Sequence, residues 1–308
     1  MNKAVKREGI TALGVRLWLA TEKVYHDIVM YIHKNFMLGV FDSGYGGLTI
    51  LKAIHGRLPS ISTIYLGDNA RAPYGTRAPA EILAFTREGV RFLFERGCPL
   101  VILACNTASA DALRTIQQTL LPEEYPHRRI LGVIRPTAEA IRENPKHHIG
   151  IFATPATVNS CAYARELAHL GQFSVTQQAC PGLVDAIERG ETETSETADL
   201  VASFVAQLLQ KDPAIKTVLL GCTHYPLILP LFRTTLPGRV NIIIQGPTVA
   251  EKLADYLARH QEIDTRLAHS GTREFFTTGI PNNPLASYFY KNEILFNKIC
   301  LTENPKKR

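Results

Sequence analysis

From Met37 onward, short apolar runs alternate with longer stretches whose apolar residues recur at helical spacing, a rhythm that predicts repeated βα units around a parallel sheet. The runs place strands at Leu38 to Phe41, Thr63 to Leu66, Leu100 to Ala104, Ile130 to Val133, His148 to Phe152, Ser174 to Gln178, Lys216 to Leu220 and Val240 to Ile244. Helices are predicted over Gly47 to Arg57, Pro79 to Arg96, Ala108 to Thr119, Ala156 to Leu170, Ser195 to Leu209, Pro226 to Thr235 and Thr248 to Arg259. Pro136, Pro145 and Gly246 read as breakers that mark a crossover between two similar halves. Met1 to Phe36 lacks a convincing strand signal, and the mixed tail from Asn282 to Arg308 resists placement.

With 308 residues, 45% of them hydrophobic, the chain can bury a large core as one large domain or two of ordinary size. No apolar run reaches the length of a membrane span, so a soluble protein without membrane contact is expected. The formal charge of +6 raises nucleic acid as a partner, but the basic residues are scattered and form no aromatic-basic recognition motif, which argues against it. Half of that charge falls in Met1 to Phe36, where six basic residues face three acidic ones. This segment lacks the apolar core and cleavage site of a signal peptide, and Met37 directly precedes the first strand. Met37 is therefore expected to be the natural start, with the first 36 residues an extension. The six cysteines show no CxxC pair or regular framework, which predicts free thiols in a cytoplasmic protein and no metal site.

Ligands of open parallel sheets gather beyond the carboxyl ends of the strands. One such place is FDSGYGG (Phe41 to Gly47), where glycines leave backbone N–H groups open to an anion, although Asp42 there could equally be a helix cap. Its spacing fits neither a dinucleotide fingerprint nor a P-loop. A second, GDNARAPYG (Gly67 to Gly75), reads locally as a turn. The third and fourth are distorted copies of one another: VILACNTA (Val101 to Ala108) and VLLGCTHY (Val218 to Tyr225). Each sets a cysteine at a strand end before a helix, where the positive end of the helix dipole is expected to lower its pKa and make a thiolate accessible near neutral pH. Taken singly, either cysteine could be a buried apolar side chain. Matching positions in matching units predict two thiols, Cys105 and Cys222, facing one site, with His224 able to orient or protonate the second.

The motifs GVFDSGYGGLTIL (Gly39 to Leu51), GDNARAPYG, ACNTASA (Ala104 to Ala110), CPGLVDAIE (Cys180 to Glu188) and LLGCTHYPL (Leu219 to Leu227) together closely resemble those of the glutamate racemase family, within the cofactor-independent aspartate/glutamate racemases. The likeness runs from about Met37 to at least Glu251 and weakens in the tail. It implies an α/β fold of two pseudo-symmetric parallel-sheet domains with the active site between them. The first domain would hold residues 37–132 plus 245–308, and the second residues 133–244. The implied reaction interconverts L- and D-glutamate with neither pyridoxal phosphate nor metal, and supplies the D-isomer for peptidoglycan. Catalytic roles fall to Cys105 and Cys222, assisted by Asp42, His224 and Glu188. Implied substrate contacts are Asp42, Ser43, Tyr74, Gly75, Asn106, Thr107, Thr223 and His224. A homo-oligomer, a dimer, is also implied.

Two positions depart from the pattern: Arg135 stands where many members carry Glu, and Gln245 where an acidic residue is more usual. Neither is expected to touch the catalytic set, and their effect is assigned to domain closure, activator response or oligomer packing. The rival readings are an aspartate racemase, whose substrate is shorter by one methylene, a one-cysteine decarboxylase on the same fold, and a silent relative that binds DNA gyrase.

Overall fold

The computed structural model describes residues 36–143, 148–281 and 283–301. The expected extension lies outside these residues but for Phe36, as does Pro145. All eight predicted strands form, each within one residue of its expected ends: β1 Leu38–Asp42, β2 Thr63–Gly67, β3 Leu100–Leu103, β4 Arg129–Gly132, β5 His148–Ala153, β6 Ser174–Ala179, β7 Thr217–Leu220 and β8 Asn241–Ile243. Two more, β9 Arg273–Thr277 and β10 Asn297–Lys298, come from the region read as unplaced or silent. The helices are α1 Leu48–Arg57, α2 Pro79–Glu95, α3 Asn106–Asp111, α4 Leu113–Gln118, α5 Leu120–Glu124, α6 Ile134–Glu143, α7 Pro155–Asn159, α8 Ala162–Leu170, α9 Leu183–Glu188, α10 Ser195–Lys211, α11 Leu229–Thr235, α12 Gln245–Arg259, α13 Gln261–Asp264 and α14 Pro284–Tyr290.

The expected α/β class with two parallel sheets is found. One sheet has six strands in the order β10-β9-β2-β1-β3-β4, the other four in the order β6-β5-β7-β8. The order β2-β1-β3-β4 recurs as β6-β5-β7-β8, so β3 and β7 occupy equivalent places. Val40 on β1 pairs with Tyr65 and Ile102, and Gly150 on β5 pairs with Thr176 and Val218, all in parallel register. Strands β1, β2, β3 and β7 are buried at every position, as continuous apolar runs covered on both faces require. Leu51 and Ile54 of α1, Val249 and Leu253 of α12, Phe152 of β5 and Leu208 of α10 belong to one buried cluster, so apolar packing is continuous beneath both sheets. Among the described residues, no helix is long and apolar enough to cross a membrane.

The departures from expectation have local causes. The helix expected over Ala108 to Thr119 begins at Asn106 and runs as α3, α4 and α5, interrupted at Ala112 and Thr119. The one expected over Ala156 to Leu170 breaks at Cys161, whose φ of 54° is left-handed. The Pro226 to Thr235 helix is a 3₁₀ turn, Tyr225–Ile228, followed by α11, because Pro226 and Pro230 lack the N–H a continuous helix needs. Pro136 and Gly246 are not breakers. Pro136 lies in the first turn of α6, where its missing N–H would be unpaired anyway. Gly246 lies in the first turn of α12, where a Cβ would sit 3.1 Å from the Ala53 Cβ of α1; it marks a close helix crossing.

Candidate active site

Each motif cysteine leaves the same strand of its sheet, Cys105 just past β3 and Cys222 just past β7. Both are 5% exposed, and both line one cavity of about 30 Å³. Ser43, Tyr74, Gly75, Asn106, Thr107, Glu188, Thr223 and His224 line it too, so every expected site residue except Asp42 reaches its wall. Asp42 is fully buried behind the wall, where its Oδ2 accepts from the Gly44 N–H at 3.0 Å and its Oδ1 has no partner. The turn from β1 meets the turn from β7 at Gly46, where a Cβ would stand 2.3 Å from Thr223 Oγ1 and 2.5 Å from His224 Nδ1. Only a glycine permits that approach.

Cys105 is the N-cap of α3: its Sγ accepts from the Ala108 N–H at 3.4 Å and lies 3.4 Å from Ser43 Oγ. The expected lowered pKa is not found. Burial and the nearby Asp42 carboxyl push the thiol up to about 12, outweighing the Ser43 and Ala108 hydrogen bonds. One six-residue helix end does not offset the cost of charging a sulfur shielded from water. Asp42 is itself raised, by burial above all, against the lowering pull of His224 and the backbone N–H groups of Gly47 and Gly44.

On the other wall, Cys222 Sγ lies 3.8 Å from His224 Nδ1, and His224 Nε2 lies 2.6 Å from Glu188 Oε1. Burial alone would drive His224 to its neutral form, but its hydrogen bonds to Cys222 and Glu188 carry it well above the usual imidazole range. Glu188 reaches it from the end of α9, a helix absent from the predicted elements because it is only six residues long. The face of His224 is closed by Phe289 of α14, edge-on with ring centroids 5.2 Å apart. On the floor, the Tyr74 hydroxyl donates to Asp68 Oδ2 at 2.5 Å, and Arg71 pairs with the same carboxylate at 2.7 Å.

Three contributors were missed in the sequence. Thr154 caps α7 just past β5, lines the cavity and lies 3.0 Å from Thr107 Oγ1; the strand-end rule applied to β5 would have found it. Gln245, expected to stand clear of the catalytic set, bonds the expected substrate contact Asn106 at 2.6 Å, and Tyr163 bonds the same Asn106 amide. Arg135 stays at the surface, 69% exposed and paired with Glu139 and Glu166. A larger cavity of about 550 Å³ lies between α4, α6, α8 and α12, but no cysteine lines it. Among the described residues, no group of three His, Cys, Asp or Glu side chains converges as a metal site.

The family model for Asp/Glu/hydantoin racemases matches residues 48–253. A glutamate racemase of Ruegeria pomeroyi is 45% identical over 273 residues, which are 84% of this chain and 98% of the relative. One from Paracoccus denitrificans is equally similar. Among solved structures, a glutamate racemase isoform from Bacillus anthracis has a TM-score of 0.79 at 34% identity, and the Francisella tularensis glutamate racemase in complex with D-glutamate has 0.78 at 30% identity. Each alignment covers 87% of this chain and 98% of the other. These findings bear out the resemblance seen in the motifs.

Proposed function

Because the chain belongs to the glutamate racemase family, within the Asp/Glu/hydantoin racemases, we propose that it interconverts L- and D-glutamate by a two-thiol acid/base mechanism. The observation that carries this reading is the delivery of two cysteines, from equivalent strands of a repeated topology, to the lining of one cavity. Inverting a Cα centre requires a proton to leave one face and another to arrive on the other. The two steps balance with no change of oxidation state.

The resemblance to the family implies that Cys222 acts on the L-isomer and Cys105 on the D-isomer, and the surroundings of each sulfur support those roles. His224, raised well above the usual imidazole range by its hydrogen bonds to Cys222 and Glu188, stands with Nδ1 3.8 Å from Cys222 Sγ, within reach of the sulfur that takes the proton from the L-isomer. Cys105, whose thiol holds its proton to about pH 12, is the acid that completes that direction. In the reverse direction the substrate ammonium, once enclosed, offsets the burial and the Asp42 carboxyl that keep Cys105 protonated. General acid/base transfer contributes ~10²- to 10⁴-fold. Backbone and hydroxyl donors at Ser43, Thr107, Thr154 and Thr223 supply electrostatic support for the carboxylates and the carbanion. The D-glutamate so formed would serve peptidoglycan synthesis in the cytoplasm, a compartment that keeps six free thiols reduced.

Circular dichroism of L-glutamate mixed with the purified chain tests the proposal: ellipticity decays to zero as the racemate forms. Cys105→Ser and Cys222→Ser are each expected to lose at least about 10³-fold in rate. Because the equilibrium constant of a racemisation is one, kcat/KM must fall equally from both sides. The two variants are told apart by elimination from a halogenated glutamate, which each should retain on one enantiomer. Undiminished racemisation in either variant, or turnover of L-aspartate in place of L-glutamate, would sink this reading.

A further inference from the structure

We infer that Gln245 is a positioning residue for this reaction, fixing the polarity with which Asn106 meets the substrate; the inference rests on the racemase reading above. Asn106 begins α3 beside Cys105, is 2% exposed and lines the cavity. An asparagine there can present either its carbonyl or its amide N–H, and only the N–H suits a carboxylate, which has nothing to donate.

A buried chain of hydrogen bonds makes that choice. Thr137 of α6 donates its hydroxyl to the Val133 carbonyl at 2.6 Å, so its oxygen is left to accept from Gln245 Nε2 at 3.1 Å. Tyr163 of α8 donates to Asn106 Oδ1 at 2.5 Å and accepts from Gln245 Nε2 at 2.7 Å. Burial holds the Tyr163 phenol protonated far above its ordinary range, so it stays a donor. With its nitrogen committed to these oxygens, Gln245 turns Oε1 to Asn106 and accepts from Nδ2 at 2.6 Å. The Asn106 carbonyl is thereby locked inward, between Tyr163 and Gln245, and the second amide N–H of Asn106 has no partner among the described residues.

Gln245 stands where the chain passes from β8 into α12, and its partners come from both sheets' surroundings: Asn106 from the six-stranded half, Thr137 and Tyr163 from helices packed on the four-stranded half. A carboxylate at this position has no N–H to give Tyr163, Thr137 or the Asn106 carbonyl, so that carbonyl would lose one of the two donors that hold it inward. The neutral residue found here in place of an acidic one therefore has a structural consequence, and it reaches the site through Asn106.

The test is a double-variant cycle on the full chain, with KM and kcat for L-glutamate read by circular dichroism and folding checked by melting temperature. Gln245→Met keeps length and removes both polar ends; it is expected to raise KM about tenfold and to lower kcat less. If Gln245 acts through Asn106, the same change made on top of Asn106→Ala adds less than about twofold. Should Gln245→Met fail to fold, Tyr163→Phe preserves the ring and must show the same lack of additivity with Asn106→Ala. Unchanged KM, or defects that multiply in the double variant, would overturn the inference while leaving an active racemase. A wild-type chain inert towards glutamate would overturn both readings.

Discussion

His224 shows how a site residue is made by its partners more than by its identity. In water its imidazole would be mostly neutral at pH 7, and burial should make it more so. Cys222 on one nitrogen and Glu188 on the other reverse that outcome. The sign of the pH effect follows. The hydrogen bonds to Cys222 and Glu188 keep the proton on His224 above the usual imidazole range, so activity that needs it is expected to decline only on the alkaline side. Glu188→Gln removes the charge but keeps an acceptor, so His224 should lose its proton at lower pH. The alkaline limb of kcat/KM should move towards neutrality, with about a tenfold loss above it. A pH–rate profile identical to that of the wild type would show that Glu188 does not act through His224. The motif wording singled out both residues, whereas the pairing between them depends on α9 arriving from elsewhere. Cys105 is the opposite case: strand-end placement was read correctly, but the expected easy ionisation ignored burial, which only packing reveals.

Among the elements, strands were legible because a parallel strand covered on both faces is an uninterrupted apolar run, and β1, β3 and β7 each stand out as one. Strand β9, REFFT, does not; its register is imposed by β2, where Phe275 pairs with Tyr65. Helix α14 was equally silent. It is held by Tyr290, whose hydroxyl lies 2.6 Å from His55 Nδ1, while His55 Nε2 lies 2.9 Å from Thr63 Oγ1. Burial and the Arg273 charge lower His55 to about 4 from an ordinary 6.5, so the folded state prefers neutral His55. The unfolded chain binds more protons between those values, and stability must therefore rise with pH across that window and be lost as pH falls through it. Acidification from about 6.5 towards 4 is expected to undock α14 and uncover the Phe289 face of His224. Amide hydrogen exchange across residues 284–290 reports it, and protection unchanged at pH 4.5 would contradict the assignment.

For the whole molecule, the decisive quantity is the size of the cavity. At about 30 Å³ it has room for roughly two waters, far less than an amino acid with two carboxylates, so glutamate is expected to enter only once the cavity opens. Thiol labelling should expose this motion. Cys161 and Cys300 are exposed and should react with iodoacetamide at the rate of free thiols. Cys105 and Cys222 should lag by about 10²-fold or more, since their labelling awaits opening and, for Cys105, ionisation as well. Saturating D-glutamate should slow the two site cysteines further and leave Cys161 unaffected. Equal rates at all four positions would mean that the halves are not closed on one another in solution.

By itself, the order of residues along the chain determined which segments become strands, which turns carry the chemistry, and that two cysteines occupy matching places. These are local or periodic properties, written in short windows of apolar pattern and motif. The tertiary structure alone decided the rest: that Asp42 stands behind the wall and not on it, that Gln245 orders Asn106 through Tyr163, and that β9 and α14 complete the first sheet and cover His224. Each of these rests on contacts between residues tens to hundreds of positions apart, whose energies come from burial and from hydrogen-bond partners that no window of sequence contains.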